Sequence, residues 1–170
     1  LKANGWPALP YPDGLGDKVR CKNQQRFIHD EGPLIVATIA FGLGINKPNV
    51  RFVVHYQLPK DLEGYYQEIG RAGRDGLPAD CLLLYSRGDA MVHRHFIDEG
   101  AEAERPGRRA RLNALVRYTE TRDCRRVPLL AYFGETLTPP CGHCDNCVPR
   151  SESGDTTDVS DAARKLFSCI

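Results

Sequence analysis

Apolar residues fall into short runs separated by glycine- and proline-rich stretches, and their spacing changes along the chain. Residues 34–40 and 51–58 are β-branched apolar runs without polar alternation, the pattern of parallel strands covered on both faces. Residues 80–86 form a third such run, which places Cys81 in the core. Helical spacing takes over between the runs. Asp17 is positioned to cap a helix reaching about Asp30, with Val19, Phe27 and Ile28 turned inward and Gly32 as its stop. Asp61 caps a second helix through Glu68, and residues 89–99 read as a surface helix. Strand and helix in alternation predict an α/β layer.

Beyond residue 107 the pattern is helical only. Leu112, Leu115, Val116 and Thr119 share one face of a helix whose other face is polar and arginine-rich. After Asp123 a second helix carries Leu129, Leu130, Tyr132 and Phe133 and ends at Gly134. Pro128 conflicts with that helix, because an interior proline removes a hydrogen bond and crowds the carbonyl four residues back; the helix starts near Val127 or it kinks. Residues 1–16 read as loop with at most one short strand, residues 100–107 as a break, and residues 149–157 as a polar linker. Ser160 is placed to cap a last helix bearing Ala163, Leu166 and Phe167.

Composition narrows the class. The chain has 170 residues, 41% of them hydrophobic, enough to bury a core. Its net charge of +1 says little, but the distribution is uneven: residues 105–126 hold eight arginines against two acids, and residues 152–161 hold four acids and no base. No apolar run of about eighteen residues could cross a membrane, so the expectation is a soluble protein of the cytoplasm. Seven unevenly spaced cysteines do not form a secreted disulfide framework. The chain opens on Leu1 without an initiator methionine, and we expect it to be a piece of something longer.

Residues 65–76 read Tyr-Tyr-Gln-Glu-Ile-Gly-Arg-Ala-Gly-Arg-Asp-Gly. Glycine costs about 1 kcal/mol in a helix interior relative to alanine, so Gly70, Gly73 and Gly76 do not serve helix stability. They suit a backbone that must come close to something. Arg71 and Arg74 between them offer planar forks that match phosphate oxygens, facing one way if the helix continues. The competing reading is a glycine-capped helix end with solvated arginines paired to Glu68 or Asp75.

Cys124, Cys141, Cys144 and Cys147 are spaced C-x16-C-x2-C-x2-C. Zinc takes four tetrahedral ligands, and C-x2-C turns present two sulfurs to one ion with little strain. Four thiolates complete the shell, which leaves His143 outside it. Cys21 reads as a plain thiol, and His29, His55, His93 and His95 as isolated histidines.

The arginine stretch, together with Ala-Thr-Ile-Ala-Phe-Gly-Leu-Gly-Ile-Asn-Lys-Pro-Asn-Val-Arg-Phe-Val-Val-His ahead of it, resembles the two C-terminal motifs of superfamily 2 helicases, and of the RecQ family in particular. Cys-Arg-Arg-Val-Pro-Leu-Leu-Ala-Tyr-Phe-Gly-Glu leading to Pro-Cys-Gly-His-Cys-Asp-Asn-Cys is similar to that family's zinc module, and residues 158–170 are similar to the first helix of its winged-helix domain. The resemblance implies a partial RecA-like parallel-sheet lobe at residues 1–100, a helical hairpin with a four-cysteine zinc site at 101–150, and a linker with the start of a winged helix at 151–170. It departs at Pro12 and Asp13, where relatives carry His-Ala.

By the same resemblance the whole protein is an ATP-dependent 3′–5′ DNA helicase of repair and recombination, acting on single strands and duplex junctions. Arg74 would be its arginine finger, Arg71 the partner, Gln67 the coupler of nucleotide to DNA, Thr38 a contact to the DNA backbone, and Asn46 a neighbour of the nucleotide sugar. Arg108, Arg109 and Arg111 are candidate DNA contacts. Structural zinc is the expected metal. ATP and Mg2+ belong to a first lobe, because this sequence contains no phosphate loop and no Asp-Glu-x-His box. Two other classes stay open: a non-catalytic zinc-stabilised DNA-binding module, and an RNA-remodelling relative.

Overall fold

The structure, a computed structural model, describes Trp6 and residues 8–38 and 46–148. The readings made for residues 39–45 and 149–170 lie outside the described residues. Those up to Lys47 form one compact unit and those from Pro48 a second.

In the first unit, β1 (Ala8–Tyr11) pairs in parallel with β2 (Leu34–Ala37), Ala8 opposite Leu34. The connection between them is α1 (Asp17–His29). A parallel pair needs such a crossover, and α1 packs back on β1 through Phe27 and through Asn23, whose Nδ2 donates to the Pro10 carbonyl at 2.8 Å. That hydrogen bond is what permits a buried asparagine on the helix. The cap differs from the expectation: Gly16 is the N-cap, with no side-chain bond, and Asp17 lies inside the first turn, where its charge favours the helix dipole. Val19 is exposed and Ile28 half-buried, since the face set by Asn23 and Phe27 is narrower than the apolar spacing implied. At the other end Lys47 Nζ donates to the carbonyls of Ile28 and Asp30 at 3.3 and 3.1 Å, capping the last turn with a cation.

In the second unit, β3 (Phe52–His55) pairs in parallel with β4 (Asp80–Leu83), Phe52 opposite Asp80. Between them runs α2 (Leu62–Ile69), whose N-cap Asp61 accepts from the Gly64 N–H at 2.9 Å. After β4 come α3 (Arg87–Glu99), α4 (Arg105–Glu120) and α5 (Arg126–Tyr132). A capping box between Ser86 and Asp89 starts α3 two residues before the expected point. The break expected at 100–107 is a short 3-10 turn, Glu102–Glu104, after which α4 begins with Pro106 in its first turn.

Leu58, Leu62, Tyr65, Ala90, Ile97, Leu112, Leu115, Tyr118 and Leu129 form the core of this unit. Leu62, Leu112 and Leu115 are its fully buried side chains, each worth about 1.5–3 kcal/mol of transfer free energy. Two expectations of burial are corrected, for Cys81 and for the second face of the sheet. Cys81 is exposed, because β4 has a partner strand on one side only among the described residues. Tyr132 and Phe133 are also exposed, because α5 buries Leu129 and turns its end outward. The sheet face bearing Phe52, Val54 and Leu82 is exposed as well, so only one face of the β3–β4 pair is covered within the described residues.

Pro128 breaks nothing. With α5 starting at Arg126 it is the third helical residue, and the first four N–H groups of a helix have no intrahelical acceptor. The helix ends as expected, with Gly134 at φ +82° and the Glu135 N–H returning to the Leu130 carbonyl at 3.0 Å. The architecture is α/β: parallel strands with crossover helices, followed by a small helical module.

Candidate functional site

The helix α2 delivers the arginine stretch and then stops. Gly70 is its C-cap, and residues 71–75 are turn, so Arg71 and Arg74 are not stacked on one helical face as their spacing suggested. The turn is nevertheless fixed. The Gly73 N–H donates to the Val50 carbonyl at 3.0 Å, the Asp75 N–H to that of Pro48 at 3.2 Å, and Arg51 Nη2 pairs with Asp75 at 2.5 Å. Gly73 has φ +64°, and a Cβ there would meet the Leu77 carbonyl oxygen at 2.8 Å. No other residue fits that position without moving backbone. Asp75 is thus taken by Arg51, which removes it as the partner of Arg71 or Arg74.

Arg74 is exposed and its Nε donates to the Gly70 carbonyl at 3.0 Å. Arg71 is half-buried, and that burial, then the like charge of Arg74, draws its pKa down from the ordinary value against the pull of Glu68. Two guanidiniums on one pinned turn, one of them partly desolvated, make a site whose charge an anion would complete. Gln67 lies exposed on the last turns of α2 beside them in sequence. Thr38 and Asn46 are exposed residues of the first compact unit.

The four cysteines come together. One thiol sulfur from each of Cys124, Cys141, Cys144 and Cys147 lies within 4.8 Å of all the others, and Cys141 and Cys147 are 3.9 Å apart. A tetrahedral zinc with bonds of about 2.3 Å sets its sulfurs about 3.8 Å from one another, so the quartet fits the ion. The Cys141 N–H donates to Cys124 Sγ and the Arg125 N–H to Cys144 Sγ, both at 3.3 Å. The first of these bonds leads in holding the Cys124 thiol down to about 6, and the Cys144 side chain leads in pushing Cys147 up to about 12. Protons shared unevenly in this way are those that a bound dication displaces. Nδ1 of His143 is 2.7 Å from the Cys141 carbonyl, and the ring is no member of the cluster.

Sequence spacing did not reveal what assembles the quartet. Arg125 donates through Nε and Nη2 to both oxygens of Asp145 in the cysteine loop, and through Nη1 to the Tyr118 and Thr119 carbonyls at the end of α4. Asn146 adds bonds to the Thr121 and Asp123 carbonyls at 2.9 and 2.7 Å. The signal was present only as two polar residues between cysteines.

The arginine block has partners too. Arg108 pairs with Glu104 at 2.7 Å, Arg109 with Asp98 at 2.6 Å, and Arg111 lies 4.0 Å from Asp61. All three side chains remain about half exposed, so water and salt screen these pairs and they contribute little to stability. No helix of the described residues is long and apolar enough to cross a membrane.

Residues 1–76 match the helicase conserved C-terminal domain, and residues 87–148 match the RecQ zinc-binding domain. The ATP-dependent DNA helicase RecQ of Bacillus subtilis is 46% identical over 171 residues, covering all of this chain and 28% of that protein. Its counterpart from Haemophilus influenzae is 44% identical over 175 residues, again covering all of this chain and 28% of the relative. Among solved structures, a DEAD-box helicase bound to single-stranded RNA and UDP-BeF aligns with a TM-score of 0.47 at 24% identity, over 58% of this chain and 19% of that one. The chain therefore spans a little over a quarter of the length of these curated relatives. The chain thus carries in series a match to the helicase conserved C-terminal domain and a match to the RecQ zinc-binding domain, and over its whole length it is similar to RecQ proteins.

Proposed function

We propose that this chain is the second RecA-like lobe and the zinc module of an ATP-dependent 3′–5′ DNA helicase that works on DNA inside the cell. The observation that carries the reading is the glycine turn, pinned to the Pro48 and Val50 carbonyls, that bears both Arg71 and Arg74 at the end of α2. In this reading Arg74 reaches the γ-phosphate of an ATP held with Mg2+ by a first lobe, Arg71 supports it, and Gln67 links nucleotide to DNA. Thr38 contacts the DNA backbone and Asn46 lies near the nucleotide sugar. Residues 1–100 serve as the lobe, 101–150 as the zinc module with one structural zinc on the four cysteines, and 151–170 as the approach to a winged helix. Because no phosphate loop lies in this sequence, the chain alone hydrolyses no ATP.

The test is strand displacement by the full-length helicase. A duplex with a 3′ single-stranded tail should be unwound in the presence of ATP and Mg2+, and the same duplex with a 5′ tail should not. Unwinding from the 5′ tail alone, or no DNA-stimulated ATP hydrolysis, overturns the reading.

DNA contact through Arg108, Arg109 and Arg111 belongs to the same proposal. Phosphates must compete there with Glu104, Asp98 and Asp61, so the contact is electrostatic and easily screened. Affinity for single strands should fall with salt at a log-log slope of about −0.7 per phosphate contact, and replacing the three arginines by alanine should flatten it. An unchanged slope in the triple variant assigns the contacts to other residues.

A further inference from the structure

His55 ends β3 with its side chain only 10% exposed. Its Nε2 lies 2.6 Å from Glu68 Oε2, and its ring packs on Tyr65 with centroids 5.1 Å apart. Among the described residues its buried Nδ1 has no hydrogen-bond partner. A proton there would be a donor without an acceptor, so the ring donates through Nε2 to the carboxylate. Tyr65 in turn is buried and packs on Tyr118, so the imidazole is backed by the core and cannot swing away.

Glu68 sits on the last turn of α2, three residues before Arg71, and its backbone carbonyl accepts the Arg71 N–H at 3.3 Å. A carboxylate in that place would ordinarily pair with the arginine. Here it is engaged by His55, and among the described residues Arg71 forms no ion pair. Glu68 is still felt by Arg71 as a stabilising charge, outweighed by burial and by Arg74.

We infer that His55 is a positioning residue: it holds the Glu68 carboxylate away from Arg71, so that the arginine stays available to a phosphate. The inference rests on the reading of Arg71 and Arg74 as phosphate-facing. Without the histidine bond, Glu68 would close on Arg71 and compete with the phosphate for its fork. The histidine thus acts through two intermediates and touches no substrate.

The experiment measures DNA-stimulated ATP hydrolysis by the full-length helicase, with zinc content and thermal melting as checks on folding. His55→Phe keeps a ring against Tyr65 and removes the donor; kcat should fall roughly fivefold, the upper end for a competing, partly exposed ion pair. His55→Gln keeps an N–H donor and should stay within about threefold of wild type. The double variant His55→Phe with Glu68→Gln removes the competing charge and should recover most of the His55→Phe loss. A double variant as slow as His55→Phe, or slower, overturns the inference, as does a His55→Gln protein no faster than a folded His55→Phe. If His55→Phe loses its zinc or its melting transition, His55→Leu takes its place against the same double substitution. Arg71→Ala separates the two layers: a normal rate there ends both the phosphate-facing reading and this inference, whereas a collapsed rate without rescue in the double variant ends the inference alone.

Discussion

Replacing Arg74 by alanine in the full-length helicase should lower ATP turnover at saturating single-stranded DNA by about 10³- to 10⁵-fold, the range attached to an arginine finger. Phosphoryl transfer leaves the protein little covalent chemistry; it depends on positioning and on neutralising charge that spreads over the γ-phosphate oxygens. The turn from Gly70 to Gly76 supplies position. It is pinned to the Pro48 and Val50 carbonyls, and Gly73 occupies a conformation that no side chain tolerates there. Arg74→Lys should be nearly as damaging as Arg74→Ala, because an ammonium is a point charge and cannot reproduce a bidentate fork. Arg71→Ala should show a milder form of the same loss. DNA affinity and zinc content should stay near wild type in all three variants. A near-normal ATPase rate in Arg74→Ala would falsify the finger assignment and return the stretch to an ordinary capped helix end.

Loss of one zinc ligand should have the second large effect. Structural zinc contributes about 10–16 kcal/mol of apparent binding free energy in small zinc-finger peptides, as much as the whole stability of an ordinary domain. Cys141→Ser, or exposure to a strong chelator, should therefore unfold the segment from Cys124 to Val148. The damage should spread, since Leu129 of α5 lies in the same core as Leu112, Leu115 and Tyr118. Elemental analysis should find one zinc per chain in the unmodified protein and almost none in the variant, with a lower melting temperature. Less than about half an equivalent of zinc in the unmodified protein, with all four thiols open to titration, refutes the assignment.

Local signals carried much of the fold. The Asp61 cap, the apolar strands at Phe52–His55 and Asp80–Leu83, the Leu112 and Leu115 face of α4 and the Gly134 stop all follow from neighbours within one or two turns. The four cysteines were legible as a set because metal spacing is itself a local pattern. What escaped depends on partners far along the chain. Asp98 meets Arg109 and Asp61 approaches Arg111 only after α3 and α2 pack on α4, so the arginine block read as a free basic face. His55 looked isolated for the same reason, with Glu68 thirteen positions away. Tyr118 is buried although its flanking residues are polar, because it packs on Tyr65 across two helices. Asp17 was misread by one position, since the chain enters α1 through Gly16 and leaves the aspartate in the first turn.

Arg125 also bears on how the metal site is held closed. Its guanidinium joins the end of α4 to Asp145, and Asn146 fastens the same loop to the Thr121 and Asp123 carbonyls. Each such bond contributes only about 1 kcal/mol, too little to keep the module folded without metal. It is enough to bias where the loop spends its time. Part of the entropy of closing the sixteen-residue tether between Cys124 and Cys141 is therefore offset by these bonds and not by the metal alone. The arginine and the metal share the closure of one loop.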